Sequence, residues 1–328
     1  MSRFISQILV LFSVITGKSF EDSVIYPALD DRDNHALEIQ TDMRQVEITT
    51  SLIQSDIYQS FIENPVENRR LARSAPQQVG DTLTFSVRNI FDQTKWDRIL
   101  SELVLDTSSV SIWIESEAMD SLLTEYELSM LVDEFNDYLF DRSGSYSVDS
   151  DMGILNILTE YFGVPPDVDM DGKLDILLLD IHDTFALDGS YVAGFFDLND
   201  LTNSETSNGR DLIYIDLYPS IKYEGEIHVS RSVPTLAHEY QHLIHANYEG
   251  PEREYIFIDE GLSELAEIVC GFTPRTPVDH FNNPARPLLS WNHSEIIRYT
   301  RIYDEPEAGS ANTPLQRNAS WMAELFND

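Results

Sequence analysis

The segment Pro234-Thr235-Leu236-Ala237-His238-Glu239-Tyr240-Gln241-His242-Leu243-Ile244-His245 decides how the rest of this chain is read. In an α-helix, residues four apart lie about 40° apart around the axis, so His238 and His242 leave one face side by side. Two imidazoles so placed can share one zinc ion, and Glu239, one position round, stands beside the coordination position they leave open. The flanking residues favour a helix: Ser232 is an N-cap type and Pro234 suits a first turn. Leu236, Tyr240, Leu243 and Ile244 make an apolar stripe away from the histidines. The spacing therefore predicts a helix with one face in a core and the other toward a cleft.

The bare His-Glu-x-x-His pattern needs a third ligand, and the chain offers one shortly afterwards. Phe257-Ile258-Asp259-Glu260-Gly261-Leu262-Ser263-Glu264-Leu265-Ala266-Glu267 reads as a second helix, closed by Gly271. Glu260 and Glu264 are four apart and share a face. One can ligate the metal while the other accepts a hydrogen bond from a histidine's second nitrogen and so fixes its tautomer. No Lys or Arg lies between Arg253 and Arg275 to turn these acids into a salt-bridged surface. His245 also lies toward the metal side and competes with Glu260 as a third ligand.

Composition narrows the setting. The chain has 328 residues, 42% of them hydrophobic, with a formal charge of −36 and a single cysteine, Cys270. The apolar share is that of a globular protein. The charge argues against nucleic acid or an anionic membrane surface as the main partner. One cysteine excludes a disulfide within this chain and any Cys-rich metal site, so metal chemistry falls to His and carboxylates. Residues 1–19 read as a signal peptide: Arg3 starts it, Phe4 to Ile15 is mostly apolar, and Gly17 and Ser19 are small residues before a cut. That predicts a secreted or periplasmic protein with no membrane span in the mature chain. Residues 20–76 read as a pro-segment or linker, ending in the basic patch Arg69-Arg70-Leu71-Ala72-Arg73.

From Asp81 the pattern is strand-like and then helical, an α+β order. Strands are predicted at Thr82 to Val87, Val110 to Ile114, Leu174 to Ile181, Tyr191 to Phe196 and Leu212 to Leu217, and helices at residues 120–140 and Ile154 to Phe162. The division expected is a strand-rich half over 77–230 and a helical, zinc-binding half over 231–328, with a cleft between them. Beyond Gly271 the chain is rich in Pro and Asn, and only Ser294 to Tyr303 and Ala319 to Phe326 read as helical.

His-Glu-x-x-His followed by Asp-Glu-Gly-Leu-Ser-Glu resembles the gluzincin metallopeptidases, in particular the immune-inhibitor-A-like and hyicolysin-like secreted bacterial endopeptidases. The resemblance spans about Asp81 to Phe272 and includes Phe85 to Asn89, Ile112 to Glu115, and Asp167 to Gly172 leading into Ile176 to Asp180. It implies a thermolysin-like catalytic architecture in which His238, His242 and Glu260 are the zinc ligands, Glu239 is the general base and Glu264 supports a ligand from behind. It implies a protein or peptide substrate held in extended form, with Leu212 to Leu217 as the strand at the cleft edge. The metzincin pattern does not apply, because it needs Gly at 245 and His at 248, where this chain has His245 and Tyr248. Gluzincins normally continue with several helices, so a shortened C-terminal part leaves the oxyanion donor open among Tyr248, Tyr255, His280, His293, Tyr299 and Tyr303. The rival reading is a metal-binding, non-hydrolytic extracellular module; an intact Glu239 argues for the enzyme.

A second metal signal is Asp167-x-Asp169-x-Asp171-Gly172-x-x-Asp175, the first nine positions of a calcium loop. Position twelve is Leu178, so a complete helix–loop–helix site is excluded. An incomplete oxygen cage for a structural calcium is the expectation.

Overall fold

The computed structural model describes residues 44–45, 48–49, 77–90, 95–248 and 256–272. The expected signal peptide, most of the 20–76 segment and the helices read beyond Gly271 lie outside these residues. The architecture is α+β, with a mixed sheet first and the motif-bearing helices after it, consistent with the thermolysin-like layout.

The main sheet contains β2 (Thr82–Arg88), β3 (Trp96–Asp106), β4 (Val110–Glu115), β5 (Leu174–Leu179), β7 (Gly194–Phe195) and β8 (Leu212–Asp216), in the order β2-β3-β4-β5-β8-β7. β4, β5 and β8 run parallel, with Ile112 opposite Ile176 and Ile176 opposite Ile213. Parallel strands are covered on both faces, so β5 reads Leu-Asp-Ile-Leu-Leu-Leu and is buried throughout. The period of two then sorts its side chains. Ile176 and Leu178, with Ile112, Ile114, Ile213 and Ile215, join the large helical core. Leu177 and Leu179, with Trp113, Tyr214, Phe85 and Phe195, pack on the opposite face.

Two helices follow β4, α1 (Ser116–Leu122) and α2 (Glu125–Phe140), where the periodicity reads as one. They part at Thr124, whose side chain accepts from the Glu127 N–H while Glu127 accepts from the Thr124 N–H, a reciprocal cap that starts a new helix. α3 (Ile154–Phe162) falls on the predicted residues. β3, the longest strand among the described residues, escapes the sequence reading because it carries Asp97, Arg98 and Glu102 along its length. The predicted strand Tyr191 to Phe196 divides into β6 (Ser190–Tyr191) and β7, separated by Val192 and Ala193. β1 (Arg44–Gln45) pairs with β6 in parallel. α4 (Phe185–Asp188) precedes β6, and the short pair β9 (Lys222–Tyr223) and β10 (Glu226–Ile227) leads into α5 (Val229–Tyr248).

One expectation is corrected by topology. Leu212 to Leu217 was expected at the cleft edge, yet β8 lies between β5 and β7 and β7 takes the edge. Five continuously buried residues explain why: an edge strand needs less apolar cover than an inner one.

No helix among the described residues is long and apolar enough to cross a membrane.

Candidate metal centre

The first motif lies on α5, which begins earlier than its sequence signals imply. Ser232 is not the N-cap but a buried residue of the first turn, its hydroxyl 2.9 Å from that of Ser220. Pro234 sits inside the helix, near enough to its start that the missing N–H costs the bond to the Ser230 carbonyl alone. From Thr235 to Ala246 every residue is buried. The expected open face is therefore absent: the apolar stripe meets the core and the histidine side is also enclosed.

The second motif lies on α6 (Ile256–Val269), packed against α5. Gly271, at φ +78°, ends it as read, with its N–H bonded to the Ile268 carbonyl and that of Phe272 to Glu267. Ser263 ties the two helices together, donating to Gln241 Oε1 at 2.5 Å.

Side-chain nitrogens of His238 and His242 and a carboxylate oxygen of Glu260 lie within 4.8 Å of one another, all three residues buried. The imidazole rings are 4.9 Å apart at 66°. Glu260 stands between them, one oxygen 3.5 Å from His238 Nε2 and the other 3.8 Å from His242 Nε2. Two ligands about 2.1 Å from one tetrahedral zinc stand about 3.4 Å apart. The spacings suit atoms sharing a dication. His242 Nε2 has no hydrogen-bond partner within the fold, as a metal-directed lone pair requires.

The opposite nitrogens are spoken for. His238 Nδ1 lies 3.1 Å from Glu267 Oε1 and His242 Nδ1 lies 3.1 Å from Asp259 Oδ1. With Nδ1–H donating to each carboxylate, Nε2 is the nitrogen that each ring turns toward Glu260, where a dication would take the place of its proton. Sequence reasoning assigned this support to Glu264, whereas the two bonds come from Asp259 and Glu267. Glu267 was readable, since 260, 264 and 267 fall on one helix face; Asp259 was not, because its role depends on how α6 crosses α5. Glu264 groups instead with His238 and Glu267, a second set within 4.8 Å. That set contains only one imidazole, and His242 is outside it. His245 belongs to neither set.

The pocket favours positive charge. Burial works against a protonated His242, but Asp259 and Glu260 outweigh it and raise its pKa to about 9. Burial likewise opposes an ionised Asp259, and His242 overrides this to hold it down at about 2.

Glu239 is fully enclosed next to the histidines. The Thr49 hydroxyl donates to its Oε2 at 2.8 Å and accepts the Phe196 N–H at 3.0 Å. Nothing in the sequence signalled Thr49. The sheet edge comes close to the motif helix because residue 194 is glycine: a Cβ there would lie 2.8 Å from Thr235 Cγ2 on α5.

Of the proposed calcium ligands, Asp167, Asp169 and Asp171 come together within 4.8 Å. Asp175 does not serve as a fourth. It is buried, accepting from Trp113 Nε1 at 2.8 Å and from Arg210 at 2.9 Å, and so braces the sheet. Among the oxyanion candidates, Tyr248 is turned away: its hydroxyl accepts the Val164 N–H at 3.0 Å at the end of α3. Tyr255, His280, His293, Tyr299 and Tyr303 lie outside the described residues.

No family model matches the chain. The chain is similar to the neutral metalloprotease ShpI of Staphylococcus hyicus, with 28% identity over 246 residues. The match covers 70% of this chain and 49% of ShpI, so this chain spans about half the length of that relative.

Proposed function

We propose that this chain is a secreted, zinc-dependent endopeptidase of the gluzincin type. The observation that carries the reading is the convergence of His238, His242 and Glu260 on one point, with Glu239 enclosed beside it. Similarity to a neutral metalloprotease supports the same class.

His238, His242 and Glu260 would hold the ion. Zinc in such a site supplies a Lewis acid and draws the pKa of a water toward about 7. Glu239 is the general base: its carboxylate takes a proton from the attacking water and returns it to the leaving amine nitrogen. Asp259 and Glu267 keep the two imidazoles in one tautomer and orientation throughout. Substrate backbone would lie extended against the β7 edge, where main-chain hydrogen bonds give affinity without fixing sequence. Residues 1–19, read as a signal peptide, support export, and the Asp167, Asp169 and Asp171 cluster is proposed as a structural calcium site outside the chemistry.

The rival, a metal-binding module without hydrolysis, is opposed by Glu239, which a zinc binder does not need. Incubation of purified protein, before and after limited trypsin treatment, with labelled casein separates the two. Cleavage that a chelator abolishes and zinc restores is expected; one bound zinc without cleavage in either sample would defeat the peptidase reading.

A further inference from the structure

We propose that Gly194 is a positioning residue: its bare backbone, resting on the motif helix, sets how deep an extended substrate lies against Glu239. The inference deepens the peptidase reading and rests on it. Ala193 accepts the Asp216 N–H, and Gly194 and Phe195 then stand opposite Ile215 and Tyr214. Main-chain groups alternate along an antiparallel ladder, so Gly194 and Phe196 turn theirs toward the outer side of β7, the last strand of the sheet. Gly194 is thus a residue whose N–H and C=O an added strand would engage.

The same residue meets α5. A Cβ at 194 would lie 2.8 Å from Thr235 Cγ2, 2.7 Å from the Tyr214 carbonyl oxygen and 3.0 Å from Ile215 Cδ1, inside the separation of about 3.5–4.0 Å at which carbon atoms pack. Thr235 precedes His238 by three residues and Glu239 by four on one helix, so it shares their face one turn earlier. Glycine backbone against a threonine methyl therefore fixes the docking edge relative to the base and the ligands. A second measure agrees. One oxygen atom, the Thr49 hydroxyl, lies 3.0 Å from Phe196 N and 2.8 Å from Glu239 Oε2, so the edge and the base are a single atom's span apart. Phe195, between Gly194 and Phe196, packs on the opposite face of the sheet and takes no part in this contact. A methyl at 194 pushes the edge away from α5 while its outward hydrogen-bonding groups survive. Substrate then binds but sits out of reach, and a misplacement of about 1 Å costs about 10²-fold in rate.

The test uses the full chain loaded with zinc, before or after trypsin treatment, whichever cleaves casein, and an internally quenched peptide. Gly194→Ala should lower kcat by about 10- to 100-fold and leave KM within about threefold. Thr235→Ala makes room for the new methyl, so adding it to Gly194→Ala should raise kcat several-fold again, a coupling that independent sites do not show. Binding gives a readout apart from turnover. Acetohydroxamate meets the metal alone, whereas a peptide hydroxamate meets metal and edge together. By calorimetry, Gly194→Ala should weaken the peptide hydroxamate about tenfold and leave acetohydroxamate as in wild type. Should Gly194→Ala fail to fold, Thr235→Ile adds a methyl to the same contact from the helix side, and the same pattern in kcat and in the two hydroxamates is expected. Unchanged kcat, a loss that Thr235→Ala does not relieve, or acetohydroxamate weakened as much as the peptide hydroxamate would overturn the positioning role while wild type still cleaves. If wild type binds zinc and cleaves nothing in either sample, the peptidase reading fails and the role of Gly194 falls with it.

Discussion

Glu239 has one task in this account, to move a proton, and His238, His242 and Glu260 have another, to hold a cation. Substitution should separate them. Glu239→Gln keeps the shape and removes the base, so kcat of the activated enzyme should drop by about 10²- to 10⁴-fold while zinc content stays at one per chain, measured by atomic absorption. Asp259 and Glu267 act through the rings they hold. Asp259→Asn should weaken zinc affinity by about 10- to 100-fold, read by competition with a chromophoric chelator. The ligand residues were legible because helical geometry alone puts positions 238 and 242 on one face. Asp259 and Thr49 were not, since each acts across a tertiary contact that no local spacing encodes.

Among elements, the acidic turn before β5 shows how burial shapes pH response. Burial pushes the Asp211 carboxyl up to about 8, the Asp169 and Asp167 charges adding to the rise, against N–H bonds from Val168 and Asp167 that lower it. The unfolded chain releases this proton near 3.8. Between those values the fold holds a proton that the unfolded chain has lost, so this group's contribution to stability falls as pH rises from about 4 to 8. A cation on Asp167, Asp169 and Asp171 would supply the opposing charge. Calcium is therefore expected to raise the melting temperature more at pH 8 than at pH 5; an equal effect at both would count against a calcium site there. The strands β2, β4, β5 and β8 were legible from period two or from continuous apolar runs, and α3 from its Gly163 stop. β3 was hidden by its charges and the α1–α2 break by an unbroken apolar rhythm. The start of α5 was misplaced because Ser232 looks like a cap yet pairs with Ser220.

At the scale of the whole molecule the formal charge of −36 dominates. Such an excess of one sign repels itself in the compact state, and salt screens it. The melting temperature should therefore climb as sodium chloride is raised from low to near-molar concentration, followed by circular dichroism; a flat response would mean that bound cations already neutralise the surface. The α+β order was legible from strands giving way to helices near residue 230, and the continuous burial of α5 was not. A helix that looks amphipathic in sequence becomes buried on both sides once α6 covers the histidine face.

The most direct measurement is a zinc-edge anomalous difference map from crystals of the protein grown with zinc. One strong peak is expected about 2.0–2.2 Å from His238 Nε2, His242 Nε2 and a Glu260 oxygen, next to the Glu239 carboxylate. A peak on His238, Glu264 and Glu267 with His242 unligated, or no peak between the two helices, would contradict it.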